Sequence, residues 1–423
     1  MKQKRANRSI YPVIGVLIML MAGTVYTWTI IAKSISATFP DWTAQTLSMT
    51  FTITMMGYAV GGMVSGMLLR RTGPRIILAG AAVLFPGGML LASAAQTPLP
   101  LYIGFGAMSG IAAGLCYNST VSTVSAWFPD RQGVISGILV AGFGLSSFIA
   151  GKLFAAFAPA DGTRLWAAGL RVLAVLILAV LAAGIAVMRF PRAEELPAAE
   201  PSPAGGRRKK TREPACDIPT GEMVRRSSFW LFYAWAALLT GCGLLLVSQA
   251  GGIAGEAGPA LSGGTIATAV GMISILNAAG RVCTGTVYDR FGYRVTMLMV
   301  MISFGAGAAL MLAAVRAGNF PLLIAGFLAG GFAYGGVASI SPPLIADFYG
   351  RTWYAANFSL IPTNALFTSF ASVLAGRIYD RTHSYQGSLA LLLAAIALSF
   401  LLSFAIRRPA LTDRSSTGQR RPS

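Results

Sequence analysis

One arginine interrupts a long apolar stretch of the sequence, and no acidic residue accompanies it there. Arg281 lies within residues 265–288, and Asn277 stands four positions earlier, which places both side chains on one face of a helix. An unpaired guanidinium is costly inside a bilayer, whereas a carboxylate ligand would satisfy it through two parallel hydrogen bonds. We therefore expect Arg281, with Asn277 beside it, to bind an organic anion. The alternative is that Arg281 snorkels to the surface or caps backbone carbonyl groups.

Further polar aromatic side chains recur in two other apolar stretches. Tyr117 ends the sequence Gly114-Leu-Cys-Tyr, and Tyr334 ends the similar sequence Gly331-Phe-Ala-Tyr. Their hydroxyl groups, and the amide of Asn118, are able to bond a carboxylate or a 2-hydroxyl group. The alternative for each tyrosine is helix packing, with its hydroxyl satisfied by a neighbour. We predict that the wall of the same cavity also includes Tyr26, Asn364, Phe143 and Phe367.

The acidic residues are placed very differently from Arg281. All 14 fall in predicted loops or at the ends of apolar runs. A carrier of cations or cationic drugs would need buried carboxylates, so this distribution disfavours both classes. Three residues near the predicted outer surface are candidates for moving a proton: Asp380, Glu256 and His383. The alternative for each is an ordinary solvated surface residue.

The composition excludes a large water-soluble enzyme. The chain is 55% hydrophobic and only 11% charged, whereas soluble domains average about 25% charged residues. The four Cys and one His show no metal-binding spacing, Gly151-Lys152 is not followed by the Ser or Thr of a phosphate-binding loop, and no nucleophile–base–acid set is apparent. We therefore predict no enzymatic activity, metal or cofactor. The net charge of +19 is attributed to membrane-flanking loops and not to a nucleic-acid partner.

Twelve apolar runs are long enough to cross a bilayer as helices: residues 10–33, 45–68, 76–95, 100–127, 132–157, 166–190, 227–250, 265–288, 294–314, 320–347, 353–377 and 384–407. The predicted organisation is an all-α N-terminal six-helix bundle, a basic and proline-rich cytoplasmic linker, a second six-helix bundle and a cytoplasmic tail: residues 1–190, 191–226, 227–407 and 408–423. Most of the 33 Lys and Arg residues fall on one side if the N-terminus is cytoplasmic, which predicts that both termini are inside.

Two loop sequences repeat between the halves. Residues 66–75 read Gly-Met-Leu-Leu-Arg-Arg-Thr-Gly-Pro-Arg, and residues 285–294 read Gly-Thr-Val-Tyr-Asp-Arg-Phe-Gly-Tyr-Arg. Both resemble the G-x-x-x-D-R-x-G-R-R signature of the major facilitator superfamily. The resemblance implies two pseudo-symmetric bundles that rock about a central site, with gating or structural roles for Asp289 and Arg290. The first copy has Arg70 in place of the acidic residue, so we expect a weaker charge lock there.

A narrower resemblance concerns the monocarboxylate transporter and oxalate/formate antiporter group, and within it the bacterial lactate transporters. It rests on Tyr26-x-Trp28, on Asn277-x-x-x-Arg281, and on Trp127-Phe-Pro-Asp130-Arg131-Gln-Gly133 followed by Gly137 and Ala141-Gly-Phe-Gly144. Asp130 and Arg131 are given the same gating or structural role. This group carries its substrate arginine in span 8. Its oxalate exchangers add a lysine in span 11, but residues 353–377 contain no lysine. One cation suits a monocarboxylate better than a dicarboxylate.

We therefore expect a multi-pass protein of the inner cell membrane, monomeric, that moves a small monocarboxylate such as L-lactate together with a proton. The first alternative is an organic-anion exchanger of the oxalate/formate kind. An alternative of another class is a non-transporting membrane sensor, which the short tails and linker disfavour because they leave little room for a folded signalling domain.

Overall fold

The computed structural model describes residues 8–42, 44–157, 165–195, 215–258, 263–368 and 370–409. Within these ranges the protein is helical, and its membrane helices are numbered α1 to α12 here. Seven are single helices: α5 (Gln132–Phe157), α6 (Leu165–Val187), α7 (Ser227–Ala257), α8 (Gly263–Phe291), α9 (Tyr293–Ala317), α10 (Phe320–Tyr349) and α12 (Gln386–Ala405). Two short helical turns, Ala193–Glu195 and Thr220–Met223, lie outside them.

The second and third spans form one helical run, Ala44–Ser93, that is divided only at Gly73. Gly73 has φ 75° and ψ 167°, a conformation open essentially to glycine alone, and Pro74 then begins the next helix. We name the two parts α2 (44–72) and α3 (74–93). The predicted loop between residues 68 and 76 is therefore wrong, because a single glycine makes the turn. Gly292 separates α8 from α9 in the same way, with φ 83° and ψ −179°.

Three membrane helices are irregular. The first, α1, consists of two α-helical parts, Ile10–Ala22 and Trp28–Thr38, joined by a 3-10 turn at Gly23–Thr27. In α4, a short turn at Pro98–Pro100 is followed by a π-helical segment at Leu101–Ser109 and an α-helix at Gly110–Trp127. The most broken is α11, with Tyr354–Phe358, Ile361–Asn364, Ala365–Thr368 and Phe370–Thr382. Pro362 has no N–H to donate, which is one reason why α11 tightens into a 3-10 turn there.

Eleven helices among the described residues are long and apolar enough to cross a membrane when the run across Gly73 is taken as one. Counted on either side of that glycine they are the twelve spans that the sequence predicts. Several ends extend beyond the predicted ones. Glu256, expected between spans 7 and 8, lies in the last turn of α7, and Asp289, which directly follows predicted span 8, lies in the last turn of α8.

Glycines bring the helices of each half into close contact in a repeated pattern. In the first half, an added Cβ on Gly61 would collide with the Ile111 carbonyl, and one on Gly114 with the Tyr58 carbonyl, so α2 and α4 touch backbone to backbone. In the second half, Gly280 meets the Phe332 carbonyl in the same manner, so α8 and α10 make the equivalent contact. Close backbone approach of this kind replaces the hydrophobic effect as the force that holds helices together in lipid.

The last part of the predicted linker, from residue 215 onward, is bonded to the second half. The amide of Ala215 donates to the Asp347 carbonyl at 2.8 Å, and that of Ile218 donates to the Tyr349 carbonyl at 3.2 Å. Asn357 of α11 donates in turn to the Ile218 carbonyl at 3.0 Å. We call the end of the bundle that carries these residues, Gly73 and Gly292 the linker end.

An ion pair forms just after α6, at the same end of the first half. Arg189 donates both of its terminal nitrogens to the Glu195 carboxylate, at 2.5 and 2.6 Å. This pair, with the backbone N–H of Arg192, lowers the pKa of Glu195 to about 2. The pair lies at the surface, where an ion pair contributes little to the free energy of unfolding.

Candidate functional site

Arg281 lies at the contact between the two halves. Its guanidinium reaches from α8 across to α5, where Nη1 donates to the Val140 carbonyl. Gly144, one turn later on α5, leaves the space that the guanidinium fills, because an added Cβ there would lie 2.6 Å from Nη1 and 2.7 Å from Cζ. Gly137 of α5 packs against the carbonyl of Arg281 itself. The backbone of α5 therefore holds this residue from two sides.

The Arg281 guanidinium still has an unsatisfied donor. Its Nε is buried and has no hydrogen-bond partner among the described residues. An unsatisfied buried donor costs about 1–3 kcal/mol, and more when it belongs to a charged group. An anion that accepted from this nitrogen would remove that cost.

An aromatic cluster adjoins Arg281 and draws on both halves: Tyr26, Tyr58, Tyr117, Phe143 and Phe358. Phe143 is its centre, with ring centroids 5.0 Å from Tyr117, 5.4 Å from Tyr26 and 5.8 Å from Tyr58. Phe143 directly precedes Gly144 in the chain, and the charge of Arg281 acts on the hydroxyls of Tyr26, Tyr58 and Tyr117. The result is an aromatic cluster that carries hydroxyl groups and lies in the electrostatic field of one cation.

Tyr58 and Phe358 belong to this cluster and were missed by the sequence reasoning. A signal for Tyr58 was present, because it stands next to Gly57 and three residues before Gly61, on the face of α2 that packs against α4. No comparable signal marks Phe358, which reaches the cluster because the first turn of α11 packs on α4, with the rings of Tyr117 and Phe358 6.0 Å apart.

The other predicted site residues of the second half differ in burial and in which helices they contact. Tyr334 is half-buried, packs over Gly243 of α7 and lies within electrostatic range of Arg281. Asn277 is buried where α8 meets α10, with its carbonyl against Gly335. Asn364 is buried in the 3-10 turn of α11, whereas Phe367 is 67% exposed and stands outside the aromatic cluster.

Asn118 uses its amide hydrogens to join helices. Its Nδ2 donates to the Gly62 carbonyl of α2 at 2.9 Å and to the Ala355 carbonyl of α11 at 3.0 Å. Its Oδ1 accepts from Ser122 at 3.1 Å. The side chain therefore bridges the two halves in this conformation, and both donors that the sequence reasoning assigned to a ligand are already engaged.

The three candidate proton carriers lie at the end opposite the linker. Glu256 accepts from the Ser384 hydroxyl at 2.5 Å and from the Tyr385 amide at 2.7 Å, so it holds the start of α12. Asp380 and His383 are exposed at the end of α11, and His383 ends that helix with φ 51°. None of the three joins the aromatic cluster.

The signature residues form contacts between the halves at the linker end. Asp289 accepts from the amides of Gly133 and Val134, both at 2.8 Å, so it caps the N-terminus of α5 from the opposite half. Arg290 is exposed. Asp130 forms only surface ion pairs, at 3.7 Å to Arg8 and 3.5 Å to Arg131, and such pairs contribute about 0–1 kcal/mol.

Arg70, which replaces the acidic residue in the first copy of the signature, also contacts the other half. Its Cζ lies 3.9 Å from the ring centroid of Trp353, just before α11. Arg351 adds a hydrogen bond of 3.1 Å from Nη2 to the Pro129 carbonyl. Desolvation by the surrounding protein lowers the pKa of Arg351, but an arginine stays charged at physiological pH. A cation–π contact thus stands where the signature leads one to expect a charge lock.

The contacts between the halves cluster at the linker end and at Arg281. Nearer the opposite end, Ile275 of α8 is 62% exposed and Phe148 of α5 is 54% exposed. No group of three or more His, Cys, Asp and Glu side chains that could hold a metal ion occurs in the part of the chain that the structure describes.

Comparison with known proteins agrees with this architecture. The Major Facilitator Superfamily profile matches residues 13–363. The chain is 28% identical to an uncharacterised MFS-type transporter of Escherichia coli (strain K12), YhjX, over 82% of both chains. It is 27% identical to the oxalate:formate antiporter of Oxalobacter formigenes, over 83% of this chain and 80% of that one, and 25% identical to monocarboxylate transporter 13 of Rattus norvegicus, over 83% and 77%.

Among solved structures, the proton:xylose symporter XylE superposes with a TM-score of 0.74 over 95% of this chain and 97% of that one. The sequences are only 14% identical, so this likeness concerns the fold alone. With the family profile matched across most of the chain, and with twelve helices arranged in two joined halves, this multi-pass membrane protein belongs to the Major Facilitator Superfamily of transporters.

Proposed function

We propose that the protein is a secondary active transporter of a small monocarboxylate such as L-lactate, and that Arg281 binds the carboxylate. The observation that carries the proposal is the Arg281 guanidinium, which reaches from the second half to the first and whose buried Nε has no partner among the described residues. Every acidic side chain of the described residues lies outside the membrane helices or within about a turn of a helix end. The central charge is therefore positive, which favours an anionic cargo.

Alternating access is the mechanism that this arrangement supports. We take the linker end as cytoplasmic, because the Lys and Arg residues concentrate there. On that orientation the halves touch on the cytoplasmic side, and the site faces outward. An arriving carboxylate neutralises the guanidinium, which lowers the desolvation cost of closing the outer side around it. Rocking of the halves then exposes the site to the cytoplasm.

Proton coupling belongs to the same proposal. No carboxylate of the described residues stands beside Arg281, so a proton would enter by Asp380, His383 or Glu256, which lie at the proposed outer end. Glu256 already accepts two hydrogen bonds, which leaves Asp380 and His383 as the accessible pair. We propose further that the protein works as a monomer in the inner cell membrane.

The decisive experiment measures labelled L-lactate uptake into proteoliposomes, with an inward proton gradient imposed or abolished. Arg281→Ala and Arg281→Lys should each reduce uptake to near background, because lysine lacks the planar fork that holds a carboxylate by two bonds. Arg171→Ala is the matched control: this arginine lies in α6, is exposed, and contacts Ser93. Full uptake by Arg281→Ala would refute the site.

A second candidate function is organic-anion exchange. It is favoured by the 27% identity to an oxalate:formate antiporter, and disfavoured by the lack of a lysine in residues 353–377. Vesicles preloaded with oxalate or formate separate the two. Exchange without net gradient-driven lactate uptake would establish the exchanger, whereas gradient-driven uptake that ignores oxalate would establish symport.

A further inference from the structure

The guanidinium of Arg281 rests on a residue that has no side chain. A Cβ added to Gly144 would lie 2.6 Å from Nη1, 2.7 Å from Cζ and 3.1 Å from Nη2. The first two distances are shorter than those that real Cβ atoms show, and the third is tighter than most. Glycine is therefore the only residue type at position 144 that permits the observed placement of the guanidinium.

The same face of α5 supplies an acceptor for the guanidinium. Val140 stands four residues before Gly144, so both face α8, and its carbonyl accepts from Nη1. Together they form a guanidinium seat, by which we mean the Val140 carbonyl and the bare backbone of Gly144. The seat belongs to the first half and Arg281 to the second, so it holds the arginine only while α5 and α8 lie together.

We propose that the guanidinium seat positions Arg281 for its anion, and that Gly144 is a positioning residue which acts by its lack of a side chain. This inference rests on the proposed function of Arg281 as the carboxylate ligand. The seat occupies Nη1 and blocks one broad side of the guanidinium. The anion is then received by the edge that carries Nε and Nη2, and Nε is the donor that lacks a partner among the described residues.

A consequence is that the anion site is shared between the halves. Arg281 without the seat would be a flexible cation whose fork points in no fixed direction, and much of the strength of a paired hydrogen bond depends on orientation. With the seat in place, the orientation of the fork is set by the packing of α5 on α8. Affinity for the anion is thereby linked to the conformation in which the linker end is closed.

A double-mutant cycle on the melting temperature tests the seat without any transport assay. Gly144→Ala, Arg281→Ala and the double variant are purified in detergent with the full chain otherwise unchanged. We expect Gly144→Ala to lower Tm in the native background, because the methyl group displaces the guanidinium, and to leave Tm nearly unchanged in the Arg281→Ala background, where that group is gone. Equal losses in both backgrounds would overturn the proposal. If Gly144→Ala alone does not fold while the double variant does, the proposal stands.

Uptake kinetics test the positioning role. Gly144→Ala should raise the apparent KM for L-lactate about tenfold or more, since displacements of about 1 Å in a binding group can cost up to about a hundredfold. The control is Gly271→Ala, a substitution on the helix of Arg281 that meets no atom within 4 Å, and it should leave KM unchanged. An unchanged KM in Gly144→Ala would overturn the positioning role. If the native protein moves no lactate, the proposed function fails, and the melting cycle still decides whether the seat exists.

Discussion

The two copies of the repeated loop sequence build junctions of the same shape with opposite charges. At both, a glycine lets the helices touch across the halves: Gly66 meets the Ala355 carbonyl and the Ser359 hydroxyl, and Gly285 meets the Gly133 carbonyl. Gly73 and Gly292 then turn the chain with almost the same dihedral angles. The charge of the junctions differs at one position of the repeat, which is arginine in the first copy and aspartate in the second.

Each charge has a partner of suitable chemistry. Asp289 lies at the N-terminus of α5, where two backbone amides donate to it and the helix dipole favours a negative charge. An arginine would be repelled by such a helix end, and Arg70 instead lies over the ring face of Trp353, whose quadrupole attracts a cation. The glycines thus give both junctions the same close helix contact. The charged residue and its partner differ together, Arg70 with Trp353 in one junction and Asp289 with the N-terminus of α5 in the other.

The strengths of the two junctions are not equal. Hydrogen bonds to a charged group contribute about 1.5–3 kcal/mol each, whereas an exposed cation–π contact contributes about 0.5–1 kcal/mol. The first junction adds the Asn118 bridge to Ala355, a neutral bond of about 1 kcal/mol. We therefore expect the closed linker end to depend most on Asp289, less on Asn118 and least on Arg70.

The largest expected effect at these junctions is that of Asp289→Ala. It removes both bonds to α5 and destabilises the closed linker end, so the maximal rate of uptake should fall about tenfold or more by population shift. The KM for the anion should rise as well, because the guanidinium seat that orients Arg281 exists only while the linker end is closed. Asp289→Asn, which keeps one acceptor oxygen, should be intermediate. A maximal rate unchanged in Asp289→Ala would show that the second junction is not the stronger one.

Asn118→Ala should have a middle-sized effect. It leaves the Gly62 and Ala355 carbonyls without this donor, and an unsatisfied buried group costs about 1–3 kcal/mol. We expect a lower Tm and a maximal rate reduced severalfold. Asn118→Asp is the matched variant, since it has the same shape without the amide hydrogens and should be no better than alanine. A rise in KM with an unchanged maximal rate would instead assign Asn118 to the anion site.

The smallest effect is expected from the cation–π contact. Arg70→Ala should lower the maximal rate less than about threefold, in line with a contribution of 0.5–1 kcal/mol, and Trp353→Phe should be milder because it keeps a ring face. Arg71→Ala controls for loss of charge at the next position, where the side chain is also exposed. If Arg70→Ala lowered the maximal rate as much as Asp289→Ala, the two junctions would be equal in strength, contrary to our expectation.

Much of the fold could be predicted from the sequence, since apolar run length and the repeat are local properties. The one-residue turn at Gly73 could not be predicted, because two helices separated by a single residue have the same hydropathy profile as two helices separated by a short loop. The same limit misplaced Glu256, which lies in the last turn of α7 and not between two helices. The length of an apolar run predicts that a helix crosses the bilayer, but the residue at which the helix ends depends on backbone dihedral angles.

The sequence identified the site residue whose type is unusual inside a membrane helix. It did not identify residues whose roles depend on how helices pack. Arg281 stands out because an uncompensated charge among apolar residues has few explanations. Tyr26, Tyr117 and Phe143, which the sequence predicts for one cavity wall, pack together in the aromatic cluster. Asn118 was assigned a ligand because its amide is polar, yet that amide bonds two carbonyls from different helices, which no spacing along the chain reveals.

The sequence by itself determined that the chain is a twelve-span membrane protein in two repeated halves, with one central cation and no central carboxylate, because composition and run length decide what a bilayer accepts. Only the tertiary structure decided which backbone faces that cation. Val140 and Gly144 lie about 140 residues before Arg281, and a carbonyl or an absent side chain carries no sequence signal of its own. Contacts of that kind exist only once two helices from different halves have packed.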